Sequence, residues 1–271
     1  MNVMNKVKIL QVSKIIIIIY CLIGIALFYL QDIFLFHPKK LESNYAFHFT
    51  RPFEEMKIPV NKEDTISLVK FFPKNSVRKG LVLYYHGNMK NIEYYASYAD
   101  IFLQQGYEVW MGDYPGFGKS TGVRTEKKMY EQARILQSMA VTKYHSDSII
   151  IYGKSLGTGI AAYVASYAPA KALVLETPYY SIASLFGHYA FIYPVNYMST
   201  YKIPTYEYLQ EVHYPVIIFH GTGDDVIPYS NAKKLIPYLK TEDRFISIKD
   251  GGHNTLGKSP EYKNAMESLL K

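Results

Sequence analysis

From about residue 60 onward, the chain alternates short apolar runs with longer, more polar stretches of helical length. Thr65–Phe72 has the partial alternation of a strand, and Gly80–Tyr85 is an apolar run leading into His86-Gly87-Asn88. Ile92–Gln105 is patterned as a helix and stops at Gly106. Tyr107–Met111 reads as the next strand, ending at the turn-rich Asp113-Tyr114-Pro115-Gly116. Glu126–Tyr144 then reads as helix, Ser148–Tyr152 as strand, Ile160–Ala165 as helix and Lys171–Leu175 as strand. Pro215–Phe219 and Arg244–Ile248 complete the series. Short apolar strands separated by helices predict an α/β protein, with a mostly parallel central sheet covered by helices on both faces.

Two stretches break this rhythm. Residues 177–213 are rich in Tyr, Phe and Pro, with helical pieces but no strand. They begin just after a strand end, where parallel sheets usually bind ligands, and so read as a cap over an active site. The other stretch is N-terminal. Ile15–Leu30 is unbroken apolar sequence, Gln31 and Asp32 interrupt it, and Ile33–Phe36 resumes it. A membrane-spanning helix needs about 20 mostly apolar residues, which the extended run supplies.

Lys6, Lys8 and Lys14 precede the run, while Lys39 and Lys40 follow it. This modest bias predicts a single-pass anchor with a cytoplasmic N-terminus and the remainder in the periplasm or outside the cell. A cleaved signal peptide is the alternative, but Phe28-Tyr29-Leu30-Gln31 offers no small-x-small cleavage site. Tyr20 before Cys21 likewise does not suit a lipoprotein site. The expected organisation is a cytoplasmic tail and transmembrane anchor in residues 1–36, a connector in 37–56 and a globular domain in 57–271.

With 49% hydrophobic residues and 27 tyrosines, the chain has ample material for a core and is not a disordered one. Its one cysteine, Cys21, excludes an intrachain disulfide and a cysteine-based metal cluster. The net charge of +7 is scattered, with no basic patch interleaved with aromatics. No nucleic-acid partner is expected, and the charge suits a surface near anionic lipid.

The chemistry starts at Gly153-Lys154-Ser155-Leu156-Gly157. Glycines flanking a serine at a strand-to-helix turn allow a sharp bend that holds the hydroxyl clear of the backbone. A serine hydroxyl needs a base to take its proton and an acid to orient that base, and a doubly wound sheet predicts the order Ser, Asp, His. After Ser155, the segment His220-Gly221-Thr222-Gly223-Asp224-Asp225 places two acids just beyond a strand. Asp250-Gly251-Gly252-His253 then places a histidine in a glycine-rich loop after the last strand. His253 is the expected base. His220 and His86, each directly after a strand and before Gly, are more suited to stabilising turns, and His188 lies in the cap segment, out of order for a triad. Composition does not choose between Asp224 and Asp225.

The chain resembles the α/β-hydrolase superfamily. Within it, the similarity is to the membrane-anchored Bem46-like serine hydrolases, which are related to the serine aminopeptidase-like hydrolases. The residues that carry this are His86-Gly87-Asn88, Asp113-Tyr114-Pro115-Gly116-Phe117-Gly118-Lys119-Ser120, Gly153-Lys154-Ser155-Leu156-Gly157, the His220–Pro228 segment and Gly252-His253-Asn254, spread over Lys57–Leu269. The resemblance implies Asp224 as the triad acid, with Asp225 a neighbour that could cap the following helix. It also implies an oxyanion hole from the backbone N–H of Leu156 and that of Asn88, with Met89 as the alternative second donor. Met89 itself departs from the small residue common there in the group.

The expected activity is therefore a serine hydrolase acting on a carboxylic ester or thioester through an acyl-enzyme, without metal or cofactor. Its substrate would be a small or lipid-like acyl compound, or an acylated protein, met at the bilayer in which residues 15–36 are held. Glu176, at a strand end, could recognise a peptide amine or buttress its loop, so an amide-cleaving peptidase is the nearest alternative. A non-catalytic membrane-associated binding protein is the alternative of another class.

Overall fold

The computed structural model describes residues 3–74 and 78–271, with side chains from Lys8 onward; the Lys6 side chain, counted in the charge bias above, lies outside the described residues. The N-terminal run forms helix α1 (Val3–Tyr29), which turns at Leu30 into a short α2 (Gln31–Leu35). Within α1, Lys8–Tyr29 is long and apolar enough to cross a membrane, with a mean hydropathy of 2.4 and none of it buried in the rest of the chain.

Among the described residues an eight-stranded sheet follows, built from β1 (Phe53–Pro59), β2 (Thr65–Phe71), β3 (Gly80–Tyr85), β4 (Tyr107–Gly112), β5 (Ile149–Lys154), β6 (Ala172–Glu176), β7 (Val216–Gly221) and β8 (Arg244–Ile248). In space the order is β1-β2-β4-β3-β5-β6-β7-β8. Strand β2 pairs antiparallel with both β1 and β4, and β4, β3, β5, β6, β7 and β8 pair parallel. Alternation sorts each central strand between two cores. Leu81, Leu83 and Tyr85 of β3 pack on one face with Leu136 and Ile160, whereas Val82 and Tyr84 pack on the other with Phe102 and Met266. The principal helices on these faces are α3 (Glu126–Lys143), α4 (Gly157–Ala165), three short helices between β6 and β7, namely α5 (Ile182–Tyr189), α6 (Val195–Met198) and α7 (Thr205–Gln210), and the C-terminal α8 (Pro260–Leu270).

Two local expectations change. The stretch read as one helix over 92–105 is broken into Ile92–Tyr95, a 3₁₀ turn at Ala96–Ala99, and Asp100–Leu103. Ala96 and Ala99 are both buried, and a 3₁₀ turn eclipses residues three apart, so these small side chains share one face against the core. The region read as connector also holds the start of strand β1, which crosses the expected boundary at 57 and pairs antiparallel with β2 along its whole length. The adjacent Glu54 and Glu55 obscure its alternation in the sequence, and an edge strand tolerates its terminal Pro59.

Candidate active site

Ser155 occupies the turn between β5 and α4 with a φ of +52°, a left-handed conformation that costs a β-carbon-bearing residue energy. The flanking glycines make the turn feasible. A Cβ on Gly153 would lie 2.5 Å from the Gly157 carbonyl oxygen, and one on Gly157 would lie 2.0 Å from that of Tyr85. The turn is therefore pressed between β3 and α4, and no larger residue fits at either glycine.

His253 Nε2 lies 2.9 Å from Ser155 Oγ, and His253 Nδ1 lies 2.8 Å from Asp224 Oδ2. With Nδ1–H donating to the carboxylate, Nε2 is left to accept the serine proton. All three residues are largely buried, each with 7–8% of its surface exposed. Asp224 Oδ1 accepts the backbone N–H groups of Val226 at 2.9 Å and Ile227 at 2.8 Å, which fixes the carboxylate plane. Burial pushes the Asp224 carboxyl upward, but the hydrogen bond and charge of His253, the Ile227 N–H and the nearby His220 together outweigh it. The result holds Asp224 below the ordinary carboxylate value. Asp225 is exposed, and the helix at Tyr229–Lys233 starts from Pro228 without a side-chain cap, so Asp225 does not cap it.

The other histidines have distinct places. His220 is fully buried and its Nε2 donates to the Ile227 carbonyl at 2.9 Å. Burial holds its pKa below the ordinary value, against the upward pull of that carbonyl and of Asp224. His86, also fully buried, puts Nδ1 2.7 Å from the Gly87 carbonyl and Nε2 3.3 Å from Asp113. His188 lines a separate pocket of about 570 Å³, together with Tyr180, Ser184, Asn231 and Lys234.

The His86-Gly87-Asn88 loop passes close to the serine, since a Cβ on Gly87 would lie 3.5 Å from the Ser155 Cβ. Tyr114 Oη donates to the His86 carbonyl at 2.8 Å, and Asp113 accepts the Ile92 N–H at 2.9 Å, so the Asp113–Ser120 turn supports this loop from behind. Among the described residues, the backbone N–H groups of Leu156 and Asn88 have no acceptor. The Met89 N–H reaches Tyr95 Oη at 3.4 Å.

Sequence reasoning missed one supporting group. Lys154, paired in register with Glu176 across β5 and β6, places Nζ 2.5 Å from Glu176 Oε1 and donates to the His253 carbonyl at 3.3 Å. Tyr152 Oη also donates to Glu176, and both members of the ion pair are buried. The signal was a lysine and a glutamate ending two otherwise apolar strands. Glu176 is thus committed to Lys154 and Tyr152. Among the described residues, no group of three or more His, Cys, Asp or Glu side chains is arranged to hold a metal ion.

A strand-turn-helix at the carboxyl end of β5, with an acid after β7 and a histidine after β8, is the plan of one widespread fold. The chain has the α/β-hydrolase fold. A family model described as serine aminopeptidase, S33, matches residues 76–206. An uncharacterized protein of Mycobacterium tuberculosis is 29% identical over 188 residues, which cover 68% of this chain and 66% of that protein. Human alpha/beta hydrolase domain-containing protein 17B is 25% identical, over 71% of this chain and 66% of its own length. Among solved structures, an esterase from Pyrococcus furiosus superposes with a TM-score of 0.67 at 16% identity, covering 87% of this chain and 96% of its own.

Proposed function

We propose that this chain is a serine hydrolase that cleaves a carboxylic ester or thioester through an acyl-enzyme. The observation that carries the reading is the continuous hydrogen-bond relay from Ser155 through His253 to Asp224, with both contacts below 3 Å. His253 takes the Ser155 proton as Oγ attacks the acyl carbonyl, and the Asp224 carboxylate orients the ring and stabilises the imidazolium. The oxyanion develops toward the N–H groups of Leu156 and Asn88. Leu156 lies at the positive end of α4, which adds to that stabilisation. Asn88 is favoured over Met89 as second donor because the Met89 N–H already meets Tyr95 Oη. His253 then returns the proton to the leaving alcohol or thiol, and water releases the acid by the reverse sequence.

An ester or thioester is favoured over an amide because Glu176, the residue that could have met a peptide amine, is held by Lys154 and Tyr152. The binding-protein reading is disfavoured because no member of the triad is missing. In this reading the catalytic domain is residues 57–271 with a cap at 177–213. It follows a connector at 37–56 and a single-pass anchor within residues 1–36, and it faces the periplasm or cell exterior. The expected substrates are acyl lipids or acylated proteins at the bilayer.

Labelling with a fluorophosphonate probe tests the reading. The parent chain should be labelled and Ser155→Ala should not; labelling that persists in Ser155→Ala would refute Ser155 as nucleophile. Turnover of aryl esters alongside aminoacyl anilides separates the two bond classes, and preference for the anilides would reverse the choice of ester.

A further inference from the structure

The N-terminal helix is fastened to the helical segment between β6 and β7. The Tyr20 and Tyr193 rings stack with centroids 4.6 Å apart, Tyr193 Oη donates to the Tyr20 carbonyl, and Tyr20 Oη donates to the Ile192 carbonyl, both at 3.1 Å. Gly24 lets this ring approach, since a Cβ there would lie 3.1 Å from Tyr193. Further along, Gln31 donates to the Met198 carbonyl at 2.9 Å and accepts the Thr200 N–H at 2.8 Å, and Tyr201 Oη donates to Asp32 at 2.8 Å. The polar groups on this contact satisfy one another, as they must where water is excluded.

Between the two partners lies an apolar cavity of about 660 Å³. Ile23 and Leu27, one helical turn apart on α1, form one wall with Gln31 at the start of α2, and Leu185, Phe186 and Ile192 contribute to the other. The cavity reaches Asn88 and Val226. Asn88 follows Gly87, which abuts Ser155, and the Val226 N–H bonds to Asp224, so this end opens between the oxyanion loop and the acid loop. The link to the anchor is direct, because the Asn88 side chain donates to the Leu35 carbonyl at 2.7 Å. Where this segment meets Tyr20 of α1, Phe191 is 81% exposed and Ile192 58%. The volume falls in the ordinary range for ligand pockets, and the mainly apolar lining suits a hydrocarbon chain.

We propose that this cavity holds the long acyl chain of the substrate, with α1 as a wall of the binding site and the 189–193 tip immersed beside it in the bilayer, so that the chain enters from the lipid phase. The inference rests on the hydrolase reading for what happens at Ser155, but the cavity's occupancy is measured separately. Each methylene buried in it should raise kcat/KM by about fourfold until the cavity is full.

The full chain in phosphatidylcholine nanodiscs is given p-nitrophenyl esters of four to sixteen carbons. Expected is a rise with chain length, and a fall of at least tenfold in the twelve-carbon to four-carbon ratio in Leu27→Trp, with Ile16→Trp, outside the cavity, retaining the parent ratio. In parallel, hexadecanoic acid carrying a terminal diazirine should form photo-adducts at Leu185 and Phe186 that Leu27→Trp suppresses. Adducts without fluorophosphonate labelling of Ser155 would support the cavity and refute the hydrolase reading. Labelling of Ser155 with an unaltered ratio and no such adducts would overturn the cavity assignment alone. Phosphatidylcholine and an S-acylated cysteine peptide, offered separately, distinguish the source of the chain; acid released from either supports the proposal, and from neither overturns it.

Discussion

Lys154 Nζ donates to the backbone carbonyl of His253, across 3.3 Å, while holding Glu176 at 2.5 Å. The residue before the proposed nucleophile therefore steadies the loop of the proposed base, and does so from a buried ion pair. Removing one partner of such a pair leaves the other as an uncompensated buried charge, a loss of about 3–5 kcal/mol. Lys154→Met should lower the thermal midpoint sharply and slow fluorophosphonate labelling of Ser155. The double variant Lys154→Met with Glu176→Leu should recover part of the midpoint, because no charge is then stranded. A double variant as unstable as the sum of the two single ones would contradict this coupling.

Ser155 itself stores strain. Its φ of +52° is one that glycine adopts freely and serine does not. Ser155→Gly should abolish ester turnover and yet raise stability by about 1 kcal/mol, as relief of backbone strain at a functional turn implies. Chemical denaturation of parent, Ser155→Ala and Ser155→Gly measures this, and the alanine variant should lack the gain. Equal midpoints for glycine and alanine would mean that the turn is unstrained.

The depressed pKa of Asp224 has a defined sign in stability. Because the folded carboxyl titrates below its unfolded value of about 3.9, its ionised form adds stability that is fully present above about pH 4. That contribution is lost as pH falls through the folded value. Asp224→Asn should therefore show a flatter fall in stability on the acid side than the parent. Its kcat should drop by about 10³–10⁴-fold, because an amide does not hold the same imidazole tautomer. Thermal midpoints across pH 3–7 provide the check, and parallel curves for parent and variant would refute the linkage.

The parts of the site that were legible in the sequence are those that follow strands. Ser155, Asp224 and His253 each come just after an apolar run, and a parallel sheet brings the carboxyl ends of its strands to one edge. Pattern along the chain carried that much, together with a helix over the apolar run read at 15–36, which the structure begins earlier and breaks at Leu30. It did not carry register. The pairing of Lys154 with Glu176 depends on how β5 and β6 align, and the stack of Tyr20 on Tyr193 joins positions 173 apart, with no local periodicity to announce it. Edge strand β1 was hidden for a related reason: one exposed side and two adjacent glutamates leave little apolar alternation.

Gly87 offers the most direct test of the proposed oxyanion loop. A Cβ there would lie 2.6 Å from Tyr95 Oη and 3.5 Å from the Ser155 Cβ. Gly87→Ala must therefore displace the Tyr95 ring or move the loop carrying the Asn88 N–H, and Tyr95 is buried and stacked on His86. The loop is the easier part to move, and losing one oxyanion donor costs about 10²–10³-fold in kcat. The relay of Ser155, His253 and Asp224 is untouched by this change, so fluorophosphonate labelling should slow much less than a loss of the nucleophile would require. Adding Tyr95→Phe removes the oxygen that the new methyl would strike, and should restore part of kcat. If the double variant is no faster than Gly87→Ala alone, the loss does not come through the Tyr95 contact, and the oxyanion role of Asn88 loses its main support.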